Sequence, residues 1–334
     1  MDKTELRRDP LTDSWTIFSE ARAASPAFAS ARRENGNADP FLAGREKFSP
    51  HTLHEVKANS SWQVRVVPNR APILGVEGDV TPRADGFYDR MDGFGAHEVV
   101  VEDPGERAFD ELPLADAEKV IDAWKCRMLD LLHDPRMRSF FVVKNVGRAA
   151  GALVPHSVSQ LIAMAVIPPA LQRKLDLAHA FFAAKKRSIF EDILADEVRT
   201  GTRLAYENNG FTVFCPYASR VPFELAVFPK RQCPDFHGIT DQERAQLADV
   251  LRAALRKLNR ALNYPAFNLI LHTAPARTAG HEQWKTLDLD FRWHVEILPR
   301  LHYVGGIELA TGCSVNSVWP EVAADELRNT DISQ

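Results

Sequence analysis

Residues 150–160 read Ala-Gly-Ala-Leu-Val-Pro-His-Ser-Val-Ser-Gln. The run closes a small, permissive segment, Gly147-Arg148-Ala149-Ala150-Gly151-Ala152, in which backbone amides can come close to an anion. Arg148 can act there as a bidentate anion donor or stand as an ordinary solvated arginine. Past the proline, alternate residues of an extended chain share a face. His156, Val158 and Gln160 are therefore expected together: an imidazole, an inert aliphatic group and an amide able to bond a phosphate or sugar oxygen.

The surrounding chain alternates strands and helices. Short Val-rich runs at 62–67, 97–102 and 140–144 have strand character. Between the last two, Val120, Ile121, Trp124, Met128, Leu131 and Leu132 fall on one side of a helix over 115–132. A helical stretch over 171–197 follows, then strands at 204–215 and 223–228. A second amphipathic helix opens at Thr240 with a capping box to Glu243 and carries Leu247, Val250, Leu251, Leu255, Leu258 and Leu262 as its apolar stripe. Strands at 267–271 and 293–298 close the pattern. The loop at 34–40 is rich in turn formers. Strand pair, long helix and histidine-bearing strands thus occur twice. The expectation is an α+β fold of antiparallel sheets packed by helices.

Composition bounds the function. The chain has 334 residues, of which 45% are hydrophobic and 26% charged, enough for two units of roughly 150 residues each. A net charge of -4 with scattered arginines and lysines predicts no nucleic-acid partner. No stretch resembles a signal peptide or reaches the roughly 18 apolar residues of a spanning helix, so a cytoplasmic protein without membrane contact is expected. Cys126, Cys215, Cys233 and Cys313 form no Cys-x-x-Cys pair and suggest reduced thiols.

The run at 150–160 resembles the His-Pro-His-x-Gln signature of the galactose-1-phosphate uridylyltransferase family, a branch of the histidine-triad superfamily that includes ADP-glucose phosphorylases. The resemblance continues in order along the chain: Asp9-Pro10-Leu11-Thr12 to Arg22, Trp62 to Asn69, Gly95-Ala96-His97-Glu98-Val99, Lys144-Asn145-Val146-Gly147, Pro216-Tyr217-Ala218-Ser219, Leu271-His272-Thr273, Trp293-His294-Val295-Glu296 and Pro320-Glu321-Val322. It implies two tandem histidine-triad-like units, 1–185 and 186–334, a nucleotide or nucleotide-sugar ligand, and a homodimer. In the family the second signature histidine attacks the α-phosphorus and forms a nucleotidyl-histidine. Here His156 fills the first position and Val158 the second. The resemblance also implies nucleotide contacts at Arg22, Asn69, Asn145, Gly147, Arg148 and Gly151. Leu153 stands where a small hydroxyl residue is common.

The family's metal positions are altered as well. The structural zinc set falls on Asp39, Leu42, His97 and His156, at most three donors where tetrahedral zinc needs four. The second set, read as Glu197, His272, Arg292 and His294, contains a guanidinium with no lone pair. No zinc or iron cofactor is expected, with Arg292 replacing the ion by pairing with Glu197.

Each of these residues also has a structural reading: His97 and His156 as hydrogen-bonded core histidines, the second set as a buried polar network, Arg22, Asn69 and Asn145 as turn and surface residues. Three functions follow. One is nucleotidyl transfer by direct displacement, without the histidine intermediate. Another is transfer with His156 as substitute nucleophile. The third is an inactive or repurposed homologue that binds, regulates or runs a different reaction.

Overall fold

The computed structural model describes residues 4–8, 15–19, 39–58, 61–277 and 285–332. Fourteen strands are present among them: β1 (Thr4–Arg8), β2 (Trp15–Ser19), β3 (His54–Ala58), β4 (Ser61–Pro68), β5 (Arg83–Asp85), β6 (Tyr88–Asp92), β7 (Gly95–Val101), β8 (Ser139–Val146), β9 (Val158–Met164), β10 (Leu204–Glu207), β11 (Phe211–Phe214), β12 (Leu225–Pro229), β13 (Phe267–His272) and β14 (His294–Pro299). Helices α1 (Leu114–Leu131), α2 (Pro169–Lys185), α3 (Ile189–Thr200), α4 (Asp241–Leu262), α5 (Leu287–Asp290), α6 (Gly306–Thr311) and α7 (Pro320–Asn329) connect or follow them. No helix among the described residues is long and apolar enough to cross a membrane.

Ten strands form one sheet in the order β10-β11-β12-β14-β13-β8-β9-β7-β4-β3. The two halves of the chain meet edge to edge where β8 pairs antiparallel with β13. Neither half therefore leaves its inner edge strand unpaired. A separate four-stranded sheet, β2-β1-β6-β5, packs Leu6 and Met91 with Ile162 and Met164 of β9.

The long helices α1 and α4 cover one face of the large sheet. Their stripes, among them Val120, Ile121, Trp124 and Met128 on α1 and Leu247, Leu251, Leu255 and Leu258 on α4, join Val142, Leu161, Leu269 and Ile297 in one core spanning both halves. The Thr240 capping box is present: Oγ1 accepts from the Glu243 amide and the Glu243 carboxylate accepts from the Thr240 amide. Trp124 Nε1 donates to Ser159 Oγ (2.7 Å), tying α1 to β9.

Two elements differ from the sequence reading. The stretch at 171–197 is broken at Lys186, which has φ 59 and caps α2, so α3 starts afresh at Ile189. The stretch at 204–215 is the hairpin β10-β11, turned at Asn208, whose Oδ1 accepts from the Gly210 and Phe211 amides. The 185/186 boundary falls at the end of α2. Yet Leu171, Leu175 and Ala178 of α2 pack with Phe214, Ala226 and Phe228 of the second half, on the sheet face opposite α1 and α4.

Candidate active site

Strand register places the polar residues of the site. Directly opposed residues of an antiparallel pair share a face. Val158 opposes Val101, Gln160 opposes Val99 and Val143, and His97 opposes Ile162. Asn145 opposes Asn268, Ile270 opposes Glu296, and His272 opposes His294. All of these belong to the face that α1 and α4 leave uncovered, and α2 and α3 cover only its far end. The result is a row of amides, imidazoles and one carboxylate across the join between the halves.

At the first half of this row, Val158 is half-buried against Trp62, Val67, Val99 and Val101. Gln160 is oriented by His97. The Ile73 amide donates to His97 Nδ1 (3.2 Å), which leaves the proton on Nε2 for Gln160 Oε1 (2.7 Å). Asn69 Nδ2 lies 3.1 Å from the same Nε2, and its Oδ1 accepts from the Ala71 amide. His97 thus holds Gln160 in place from behind, while Asn69 ties residue 71 and, through its backbone amide, the His97 carbonyl.

His156 lies close to Val158 but is not free: Phe41, which packs in the Val158 cluster, meets the imidazole edge-on with ring centroids 5.9 Å apart. The histidine precedes β9, its side chain is fully buried, and both ring nitrogens are engaged: Nδ1 with Asp39 Oδ2 (2.7 Å) and Nε2 with the Asp103 carbonyl (2.8 Å). The imidazole is near the Val158 cluster, but both of its nitrogens are taken, which alternation along the chain does not reveal. His156 instead latches residues 39 and 103 together, and Leu42 adds no donor. The set Asp39, Leu42, His97 and His156 does not come together as a metal-binding group.

The glycine segment forms a tight turn. Gly147 has φ 79 and ψ 155, and Gly151 has φ 84 and ψ 18. The amides of Ala150, Gly151 and Ala152 donate to carbonyls within the turn, so they serve its shape. Arg148 is exposed at its tip and, with Asn145, Gly147, His156 and Ser157, lines a cavity of about 740 Å³ bordered by Leu255 and Asn259 of α4. Leu153 is exposed, and Arg22 lies outside the described residues.

Beneath the signature lies a buried ion pair. Lys144 Nζ donates to Glu102 Oε2 (2.6 Å), to Ser157 Oγ (3.0 Å) and to the Val158 carbonyl (3.3 Å), and Ser157 Oγ donates to the same Glu102 oxygen (2.7 Å). This cluster fixes the position at which β9 begins.

Sequence reasoning missed residues on the adjoining strands. Asn268 Nδ2 donates to Asn145 Oδ1 (2.7 Å) and to the Ala150 carbonyl (2.8 Å), while Arg300 Nε donates to Asn268 Oδ1 (2.5 Å). Asn268 joins the glycine turn to the row and brings a guanidinium beside it. An asparagine within the apolar run Phe-Asn-Leu-Ile-Leu was the available signal.

The far end of the row corrects the second metal set. Arg292 does not pair with Glu197. Its fully buried guanidinium donates to the Pro229 and Lys230 carbonyls, to Gln232 and to Glu191 (3.2 Å). Glu197 pairs with Arg203 at 3.0 Å, and burial raises the carboxyl pKa although that partner opposes it. Instead, His272, His294 and Glu296 bring three potential ligand atoms within 4.8 Å of one another, a grouping unique among the described residues. The i, i+2 spacing of His294 and Glu296 on one strand carried this information. Burial holds His272 below the usual imidazole range and pushes His294 down to about 4.

The chain is similar over its whole length to proteins of known activity. It is 31% identical to the ADP-glucose phosphorylase of Arabidopsis thaliana, covering 98% of this chain and 93% of the relative. It is 25% identical to the galactose-1-phosphate uridylyltransferase of Thermotoga maritima, covering 98% and 99%. Among solved structures, the A. thaliana ADP-glucose phosphorylase with bound ADP-glucose superposes with a TM-score of 0.79 at 29% identity, covering 99% of both chains. No protein-family model matches.

Proposed function

Because the chain belongs to the family of ADP-glucose phosphorylase and the galactose-1-phosphate uridylyltransferases, we propose that it binds a nucleotide sugar on the open face of the large sheet and transfers without a nucleotidyl-histidine. The observation that carries this is Val158, facing the row at the position the signature gives to the nucleophile, with Gln160 beside it. His156 is a poor substitute because both its nitrogens are engaged and its side chain is buried.

Without a nucleophile, the acceptor and the nucleotide sugar must be bound together. An acceptor oxygen bonds to the α-phosphorus as the sugar-phosphate oxygen leaves from the opposite side, which inverts phosphorus. Positioning then supplies the catalysis, with Gln160, Asn145 and Arg300, which Asn268 Oδ1 holds by its Nε, as fixed donors and Arg148 at the turn. His97 acts by holding Gln160. We further propose that the protein is cytoplasmic, which its four unpaired cysteines favour. A second copy is proposed to cover the exposed Tyr303, Val304, Ile307 and Leu309, since apolar groups clustered on a surface mark contact sites; light scattering in solution reports the mass.

Thermal shift with ADP-, UDP-, GDP- and CDP-sugars tests the binding. A ligand at about 100 times its dissociation constant stabilises by about 2.7 kcal/mol. With about 2.1 cal/mol/K of unfolding entropy per residue, 334 residues give about 0.7 kcal/mol/K and a shift of about 4 °C. One nucleotide class is expected to give that shift, and a chiral-phosphorus substrate to give inversion. A flat panel refutes nucleotide-sugar binding and favours a repurposed pocket; net retention refutes the direct route.

A further inference from the structure

The His272, His294 and Glu296 cluster already holds a cation, and it is an amino-acid side chain. Lys174, on α2, reaches its Nζ to 3.0 Å from His294 Nε2 and 2.5 Å from Glu296 Oε1. His294 Nδ1 bonds to the Arg292 carbonyl (2.9 Å). That bond takes the ring proton and turns the Nε2 lone pair towards the ammonium, the orientation that a carbonyl imposes on a metal-binding imidazole. His272 stacks on His294 with ring centroids 4.9 Å apart, and its Nε2 lies 3.3 Å from Glu296 Oε2. Neither nitrogen of this buried ring is hydrogen-bonded.

Charge is balanced without an ion. Arg220 Nη2 sits 2.7 Å from Glu296 Oε2 and 2.6 Å from Glu224 Oε1, so two cations face two carboxylates. A divalent ion added to this buried set leaves two uncompensated positive charges beside the Lys174 ammonium, which charge burial disfavours strongly. With Lys174 in place, the donors do not fit a metal.

We propose that Lys174 is a built-in counter-ion occupying the position of a divalent cation between His272, His294 and Glu296, and that removing its side chain turns the cluster into a metal site. The lysine gives this end of the site a fixed charge independent of metal supply. Its ammonium, a point charge on a flexible stem, needs only acceptors and no fixed coordination geometry.

The test uses Co²⁺, whose ligand-field absorption reports nitrogen and oxygen coordination, on the full chain after chelator treatment. Wild type is expected to take up no Co²⁺ dependent on His272, and its melting temperature to be unchanged by chelator. Lys174→Ala is expected to take up one equivalent with a visible spectrum, lost in the Lys174→Ala/His272→Gln double variant. Lys174→Glu, which supplies a further carboxylate, is expected to melt lower in chelator and recover with Co²⁺. Stoichiometric, His272-dependent Co²⁺ binding by wild type overturns the proposal. So does a failure of both lysine variants to gain Co²⁺ binding or metal-dependent melting.

Discussion

Lys144→Met tests how the signature strand is anchored. The Lys144 and Glu102 side chains are 3% and 0% exposed, and the ammonium also bonds Ser157 and the Val158 carbonyl. Methionine fills a similar volume but leaves Glu102 as a buried carboxylate whose remaining partner is the Ser157 hydroxyl. Removing one member of a buried pair typically costs about 3–5 kcal/mol, because the other charge stays desolvated. With about 0.7 kcal/mol/K of unfolding entropy for a chain of this length, that corresponds to a fall of about 4–7 °C in melting temperature. The double variant Lys144→Met/Glu102→Leu should regain most of the loss, since it removes the orphaned charge too. Melting followed by circular dichroism, with urea unfolding for the free energies, measures all three proteins. A loss below about 1 kcal/mol for Lys144→Met, the value of an exposed pair, refutes the reasoning. So does a double variant less stable than the single one.

Three further predictions concern the turn, Val158 and pH. A methyl group on Gly147 meets Ala266 Cβ at 2.7 Å on a backbone with φ +79, whereas one on Gly151 (φ +84) meets nothing within 4 Å. Gly147→Ala should therefore cost at least about 2 kcal/mol and Gly151→Ala about 1 kcal/mol by urea unfolding; equal losses refute this geometry. Val158→His is expected to form a radiolabelled nucleotidyl adduct that wild type does not form, and a labelled wild-type protein refutes the direct route. Burial lowers the His294 pKa from 6.5 to about 4, so the unfolded chain binds the extra proton first as the solution is acidified. The stability this histidine protects is intact above pH 6.5 and is lost as pH falls towards about 4, by at most about 3 kcal/mol. A stability curve flat across that window contradicts a neutral buried His294.

The sequence reading went furthest where local chemistry decides. The stripes of α1 and α4, the Thr240 capping box and the valine-rich strands need only neighbours along the chain, and the ordered motifs carried the family. It failed where a partner lies far away in sequence. The 171–197 stretch has continuous helical character, yet Lys186 ends α2 in a left-handed turn. His156 alternates with Val158, but the letters do not show that each of its ring nitrogens is tied to residues 39 and 103.

The charged groups make the same point. Their identities are readable from the letters, including Arg292. Which charge neutralises which is not, because ion pairing is decided by distances of a few ångströms between strands and helices remote in sequence. Arg292 went to the Pro229 and Lys230 carbonyls and Glu191, Glu197 went to Arg203, and Lys174 crossed from α2 to His294 and Glu296 on β14. Periodicity and motif order specify faces and ancestry, since both are one-dimensional properties of a chain. The electrostatic content of the site depends on how two halves join through β8 and β13 and how α2 lies across the second, and that was settled only by packing.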